Sequence, residues 1–303
     1  MISTSNRLRA SILAVVVGGA LLATSAQADV TISSAATKNM TCSGGICTPT
    51  ANNANLSVSD LQSKLKSGSV TVTTTGSGSV QAKNIVVDAA ALKWSSANTL
   101  TLSANQSIAF DAKVSITGKG GLTLNVAGVF GTESLAFYNG ANVTFSNLSS
   151  ALTINGNAYV LVDSVAGFAS AVSANQNGYF ALAASYDASG DGTYSSAPVQ
   201  GNNATGGMNG VFEGLGNSIS NLTIVDGTAS GGCDGLMANA PMEQIGNFGM
   251  VNVSITSTGD QGANGAGGIV CNINSNGLIW RSYATGTISM GRLDGAGGLE
   301  AGN

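Results

Sequence analysis

From Val70 to Leu161 the chain is a succession of short runs in which an apolar residue recurs at every second position. Val70-Thr-Val72, Ile85-Val-Val87, Leu100-Thr-Leu102, Ile108-Ala-Phe110, Val114-Ser-Ile116, Leu122-Thr-Leu124, Leu135-Ala-Phe137, Val143-Thr-Phe145 and Leu152-Thr-Ile154 carry the pattern. A period of two puts both apolar side chains on one face of a strand and the residue between them on the other. The gaps are mostly short and rich in Gly, Ser and Asn, which are turn residues. No long amphipathic helix separates the runs, which argues against a doubly wound sheet or a TIM barrel. Two short helices are expected. Ser57 to Lys66 aligns Val58, Leu61 and Leu65 on one face, with Ser57 and Asp60 spaced as a capping box. Asp163 to Ala174 aligns Val165, Phe168, Ala169 and Val172, with Asp163 or Ser164 as N-cap. Each reads as a connector packed on a sheet edge.

The last third repeats itself. Gly265-Ala-Gly-Gly-Ile269 returns thirty residues later as Gly295-Ala-Gly-Gly-Leu299, and Gly235-Leu-Met237 is a weaker earlier copy. Around them lie Ile-led strands at Ile219 to Val225, Ile245 to Val253 and Ile279 to Gly286. A period near thirty is too short for a four-stranded propeller blade and suits a coil whose strands stack in parallel on the coils before and after. The fold expected is all-β, a right-handed parallel β-helix (β-solenoid) with one or two short connecting helices. Its parts are a signal peptide at 1–28, an N-terminal solenoid region at 29–157, a helix-strand connector at 158–198 and a repeat solenoid at 199–303. The chain stops just after a fresh unit opener at Gly295 to Leu299. That would leave a strand edge open, so this end reads as truncation of a longer protein, the favoured account, or as an edge that another chain covers.

Composition narrows the chemistry. There is no histidine among 303 residues, which removes Ser-His-Asp triads, Cys-His pairs and His-ligated zinc. Arg7 and Arg9, the apolar stretch Ser11 to Ala23 and the A-x-A site Ala26-Gln-Ala28 form the three parts of a secretory signal, with cleavage after Ala28. The apolar stretch is shorter than the roughly 20 residues that span a bilayer. Export past an oxidising compartment favours a small disulfide between Cys42 and Cys47, across two glycines; a metal site there would need two more ligands. Cys233 and Cys271 either pair or sit as small buried hydrophobes. The exported chain has nine basic and fifteen acidic residues with no basic cluster, so nucleic acid is not an expected partner.

Few residues suggest a site. Asp187, Ser189 and Asp191, in a glycine turn ending at Gly192, offer oxygen atoms to Ca²⁺ or simply make the turn. Tyr179, Phe180, Tyr186 and Tyr194 either stack on sugars or pack the connector onto the solenoid. Asp226 with Asp234, Asp294 with Glu300, and the cations Arg281 and Arg292 form no recognisable constellation, and each reads as surface charge. No catalytic, cofactor or metal residue is assigned.

Phe212-Glu-Gly-Leu-Gly-Asn-Ser-Ile-Ser-Asn-Leu-Thr-Ile224 resembles the opening of a GLUG-type repeat, with Ser218 where that pattern commonly has histidine. Phe212, Gly214, Gly216, Ile219, Asn221, Leu222 and Ile224 carry the likeness. Leu100 to Ile108, Val114 to Leu124 and Leu152 to Gly156 are similar to filamentous-haemagglutinin-like exoproteins of bacteria. The resemblance implies an exported surface adhesin that is not an enzyme and takes no cofactor, held at the cell surface or secreted. Its partners would be a host or environmental surface, glycan or protein, and an outer-membrane secretion partner. The alternatives are a β-helix carbohydrate-active enzyme, the non-catalytic repeat region of a peptidase and a purely structural spacer.

Overall fold

The computed structural model describes residues 28–76, 82–88, 92–127, 134–200, 207–227, 232–240, 244–257, 265–273, 277–290 and 296–298. The signal segment, most of the final unit, Arg292, Asp294 and Glu300 lie outside these residues. Strands dominate, and most pair in parallel. All nine alternating runs form strands, with their apolar residues turned inward at nearly every position.

In the first half the chain visits three sheets in a fixed cyclic order. Ala82–Asp88, Leu92–Trp94 and Leu100–Ala104 are followed by Ser107–Phe110, Val114–Ile116 and Leu122–Val126, then by Leu135–Phe137, Val143–Phe145 and Leu152–Ile154. Each strand pairs in parallel with the strand one circuit later. Val70, Leu100, Leu122 and Leu152 stand in one column. Identical inward positions therefore meet circuit upon circuit, each apolar side chain contributing about 1.5–3 kcal/mol on burial.

One sheet of eleven strands runs through the molecule as a spine. Its direction reverses at its first pair, Met40–Ser43 against Ile46–Pro49, and once more between the two halves. Leu152–Ile154 pairs antiparallel with Asn157–Val162 across Asn155 and Gly156, whose φ angles are 49° and 81°. Two successive positive φ angles make the two-residue turn whose twist suits a hairpin. Beyond it, Asn157–Val162, Tyr179–Leu182, Val211–Glu213, Gln244–Gly246 and Leu278–Trp280 are again parallel. The core also changes sides. Tyr159, Leu161 and Ala181 join the first core, whereas Val162, Phe180 and Leu182 join a second. The segment 158–198 thus holds the reversal strand, a helix and the first circuit of the second half.

The two helices flank these cores. Helix α1, Val58–Ser67, buries Leu61 and Leu65 in the first core. The expected capping box does not close directly. Thr37 Oγ1 stands between its ends, accepting from the Ser57 N–H at 3.0 Å and donating to Asp60 Oδ2. Helix α2, Val165–Ala174, buries Val165, Phe168 and Val172 in the second core, and Ser164 Oγ caps it by accepting from Gly167 N–H. Two disulfides are present. Cys42 and Cys47 are cross-strand partners in a hairpin turned at Gly44 and Gly45. Cys233 and Cys271 are joined across 38 residues, a closure that in the chain-entropy account is worth about 4 kcal/mol.

Close stacking sets where glycine is needed. Gly246 and Trp280 are register partners, and a Cβ on Gly246 would lie 2.0 Å from the indole Cζ2. Gly190 has nothing within 4 Å of the same point. Gly246→Ala should therefore cost roughly 1–3 kcal/mol as an overpacked site, and Gly190→Ala a small fraction of that, read from urea unfolding midpoints. Equal midpoints for the two variants would mean that Trp280 does not rest on Gly246.

Candidate functional site

The repeat motif is absorbed by the stack. The Phe212 ring lies on Phe168 of α2 with centroids 4.4 Å apart and meets Phe248 of the next circuit edge-on at 5.0 Å. Ile219, Leu222 and Ile224 are fully buried. A Cβ on Gly214 would lie 2.3 Å from the Asn247 carbonyl oxygen, so two circuits close over it. Gly216 has a φ of +76° and touches the backbone of Ala141 in the first half. Asn221, at φ 59°, donates through Nδ2 to Asp187 Oδ1 at 2.8 Å and accepts from Asn252 Nδ2 at 2.8 Å. The three form a ladder across successive turns.

The Asp187 to Gly192 turn is engaged in the same way. Asp187 Oδ1 also accepts from the Ser189 N–H at 3.0 Å, and the Asn221 amide holds this carboxyl below its usual range. Asp191 accepts from the hydroxyls of Tyr186 and Tyr194. Tyr186 is consequently pushed up to about 12. Tyr179 tilts against Tyr159, and Phe180 meets Phe168 edge-on. These acids and aromatics are committed to the turn and to packing.

Asp226 and Asp234 correct the reading of them as surface charge. They are 1% and 0% exposed, because strand register turns both into the interior. Glu213, which sequence reasoning passed over inside the repeat motif, is also fully buried. Its Oε1 accepts from the Leu215 N–H at 2.9 Å and its Oε2 from Asn247 Nδ2 at 3.2 Å. Burial outweighs these bonds and pushes the carboxyl up to about 8.

A cleft of about 220 Å³ opens where the two halves meet. Asn217 closes its base by donating to the carbonyls of Val143 at 2.8 Å and Leu182 at 3.2 Å, while accepting from Asn142 Nδ2 at 3.0 Å. Phe137 and Ala141 come from the first half; Asn247, Phe248, Arg281 and Tyr283 come from successive circuits of the second. Leu215, Asn247 and Arg281 are all left-handed turn positions, with φ of 54°, 51° and 45°. An arginine there is uncommon, since its Cβ crowds the backbone. Arg281 Nη1 donates to the Tyr138 hydroxyl at 3.3 Å, and its guanidinium carbon lies 5.3 Å from that ring's centroid. Tyr138 is 44% exposed and Tyr283 is 53% exposed. A Cβ on Gly249 would lie 2.5 Å from Tyr283 Cζ, so that ring rests on bare backbone. Asn247 Oδ1 is buried at the cleft wall without a hydrogen-bond partner.

The Tyr283 ring and the Arg281 guanidinium at the cleft, with the Tyr138 ring beside that guanidinium, suit a polar ligand with flat apolar faces. The cleft lining contains no carboxylate. Sequence reading singled out Arg281 as one of the repeat region's two cations but had no means to pair it with Tyr138, 143 residues earlier. No protein-family model, curated protein or solved structure matches the chain.

The raised Glu213 carboxyl makes stability depend on pH. Its contribution is complete below about pH 4.5, the ordinary range for this carboxyl, and is lost as pH rises through about 8. The urea midpoint should therefore fall between pH 5 and pH 9, and Glu213→Gln, which does not titrate, should reduce that fall. The same fall in both proteins would exclude Glu213 as its source.

Proposed function

We propose that the chain is an exported surface adhesin or exoprotein, a right-handed parallel β-solenoid with GLUG-like repeats that works by contact and carries no catalysis. The observation that carries this reading is the division of labour among its side chains. The motif residues Phe212, Gly214, Gly216, Ile219, Asn221, Leu222 and Ile224 serve packing and turns. Interaction is then left to the outward face, where the Tyr138–Arg281–Tyr283 cleft is the most ligand-like feature described. A stack of circuits presents many such weak contacts along one axis, and multivalency raises their combined strength.

Two disulfides and the secretory signal support a location outside the cytoplasm. A glycan or a protein of a host or environmental surface is the partner class, reached after passage through an outer-membrane secretion partner. The enzymatic alternative needs two carboxylates converging on a substrate. The cleft offers none, and Glu213 lies sealed behind Asn247.

The test is retention of the exported protein on a panel of immobilised neutral and acidic polysaccharides. Retention on at least one surface is expected, with Tyr138→Ala, Arg281→Ala and Tyr283→Ala each lowering it on the order of tenfold, the effect of losing about 1.4 kcal/mol of contact. Release of soluble saccharide fragments would favour the enzyme. Retention unchanged in all three variants would move adhesion away from this cleft.

A further inference from the structure

We propose that Asp226, Asp234 and Ser257 form a site for one divalent cation of the hard, oxygen-seeking class, with Ca²⁺ as the expected occupant. The site stands apart from the Tyr138–Arg281 cleft and does not depend on the adhesive reading.

Strand register builds it. Asp226 ends the strand Thr223–Asp226 and pairs with Ser257, the last residue of Gly249–Ser257. Parallel partners point their side chains to the same face, so this carboxylate and hydroxyl lie side by side. Asp234 arrives from a segment bridged to Ala266 and follows Cys233, whose disulfide to Cys271 fixes its position. A Cβ placed on Gly232 would lie 2.3 Å from Asp226 Oδ2 and 3.4 Å from Asp234 Oδ1, which puts these two oxygens less than 6 Å apart. That span suits two ligands on one Ca²⁺, whose bonds to oxygen are about 2.3–2.6 Å.

The electrostatics call for a counter-charge. Asp234 and Asp226 are shut away from solvent, as is Ser257, and neither carboxylate oxygen of Asp234 has a hydrogen-bond partner. An uncompensated buried carboxylate is among the most costly groups in a protein interior. From residue 120 onward the chain has eleven acids, no lysine and only two arginines, so side-chain cations are scarce in this half. A divalent ion neutralises both carboxylates at once. The donors are all oxygen, which favours Ca²⁺ over softer metals. No further His, Cys, Asp or Glu joins them among the described residues. Backbone carbonyls and water complete the shell, as in extracellular modules that bind with Kd of roughly 10⁻⁴–10⁻³ M.

Thermal unfolding of the full exported chain at pH 7.5, with CaCl₂ or with EGTA, tests the site, together with calorimetric titration of Ca²⁺. One ion per chain is expected, with Tm rising on the order of 5 °C at a hundredfold excess over Kd. Asp234→Asn should abolish the rise and increase Tm in EGTA, because it removes the buried charge that the ion offsets. Asp187→Asn, on the external turn, should keep the rise. Absence of Ca²⁺ binding to the wild-type chain would overturn the proposal without any variant. So would a full Ca²⁺ response in Asp234→Asn.

Discussion

Parallel pairing between successive circuits is the constraint from which the rest of this structure follows. Strands in a sheet lie about 4.8 Å apart, and that spacing leaves no room for variable bulk between equivalent positions. Columns such as Val70, Leu100, Leu122 and Leu152 repeat the same kind of side chain because each must rest on the next. Where a column carries a large ring, the neighbouring circuit gives way with glycine, as Gly246 does beneath Trp280. Where a circuit turns through a left-handed residue, an asparagine spans to the next turn, as Asn252 does to Asn221. Loss of one register pair therefore disturbs inward packing, turns and backbone bonding together.

The spine sheet extends this dependence across both halves. Around the Asn155–Gly156 reversal its two faces belong to different cores, Tyr159 and Leu161 on one side and Val162 and Phe180 on the other. At Glu213 burial on both faces leaves no solvated side for a polar residue. Glu213 is the consequence: its neighbour Phe212 points into the second core, so Glu213 must point toward the first half. There it stays protonated near neutral pH, held by Leu215 and Asn247. The Asp226–Asp234 pair is a second case of acid carried inward by register, at a corner that a disulfide secures. The low charge of this chain thus hides an interior that holds three buried carboxyl groups, Glu213, Asp226 and Asp234.

The exposed cleft has the opposite origin. It exists because the two halves sit side by side and their turns do not fill the seam. Asn217 bonds both sides of that seam, and Arg281 reaches across it to Tyr138. A cleft built this way is positioned by backbone pairing over much of the chain while the Tyr138 and Tyr283 rings stay accessible.

Much of the first half was legible in the sequence, because a strand with one buried face must alternate, and Leu100-Thr-Leu102 or Val143-Thr-Phe145 can alternate only one way. The two helices were legible for the same reason at a period of 3.6, and the near-thirty-residue repeat showed that later strands stack; Ala266 indeed pairs with Ala296. The hairpin at Asn155–Gly156 had its signal in plain view, an Asn-Gly pair between alternating runs. Yet two residues cannot tell which side of the sheet the next core will take. That choice depends on Phe168, Phe180, Phe212 and Phe248 gathering on one face, contacts made between circuits rather than along the chain. The sites lay beyond reach for the same cause. Local pattern determines which residues turn inward or outward, but only the register between distant circuits decided that Asp226 meets Asp234 and that Tyr138 meets Arg281.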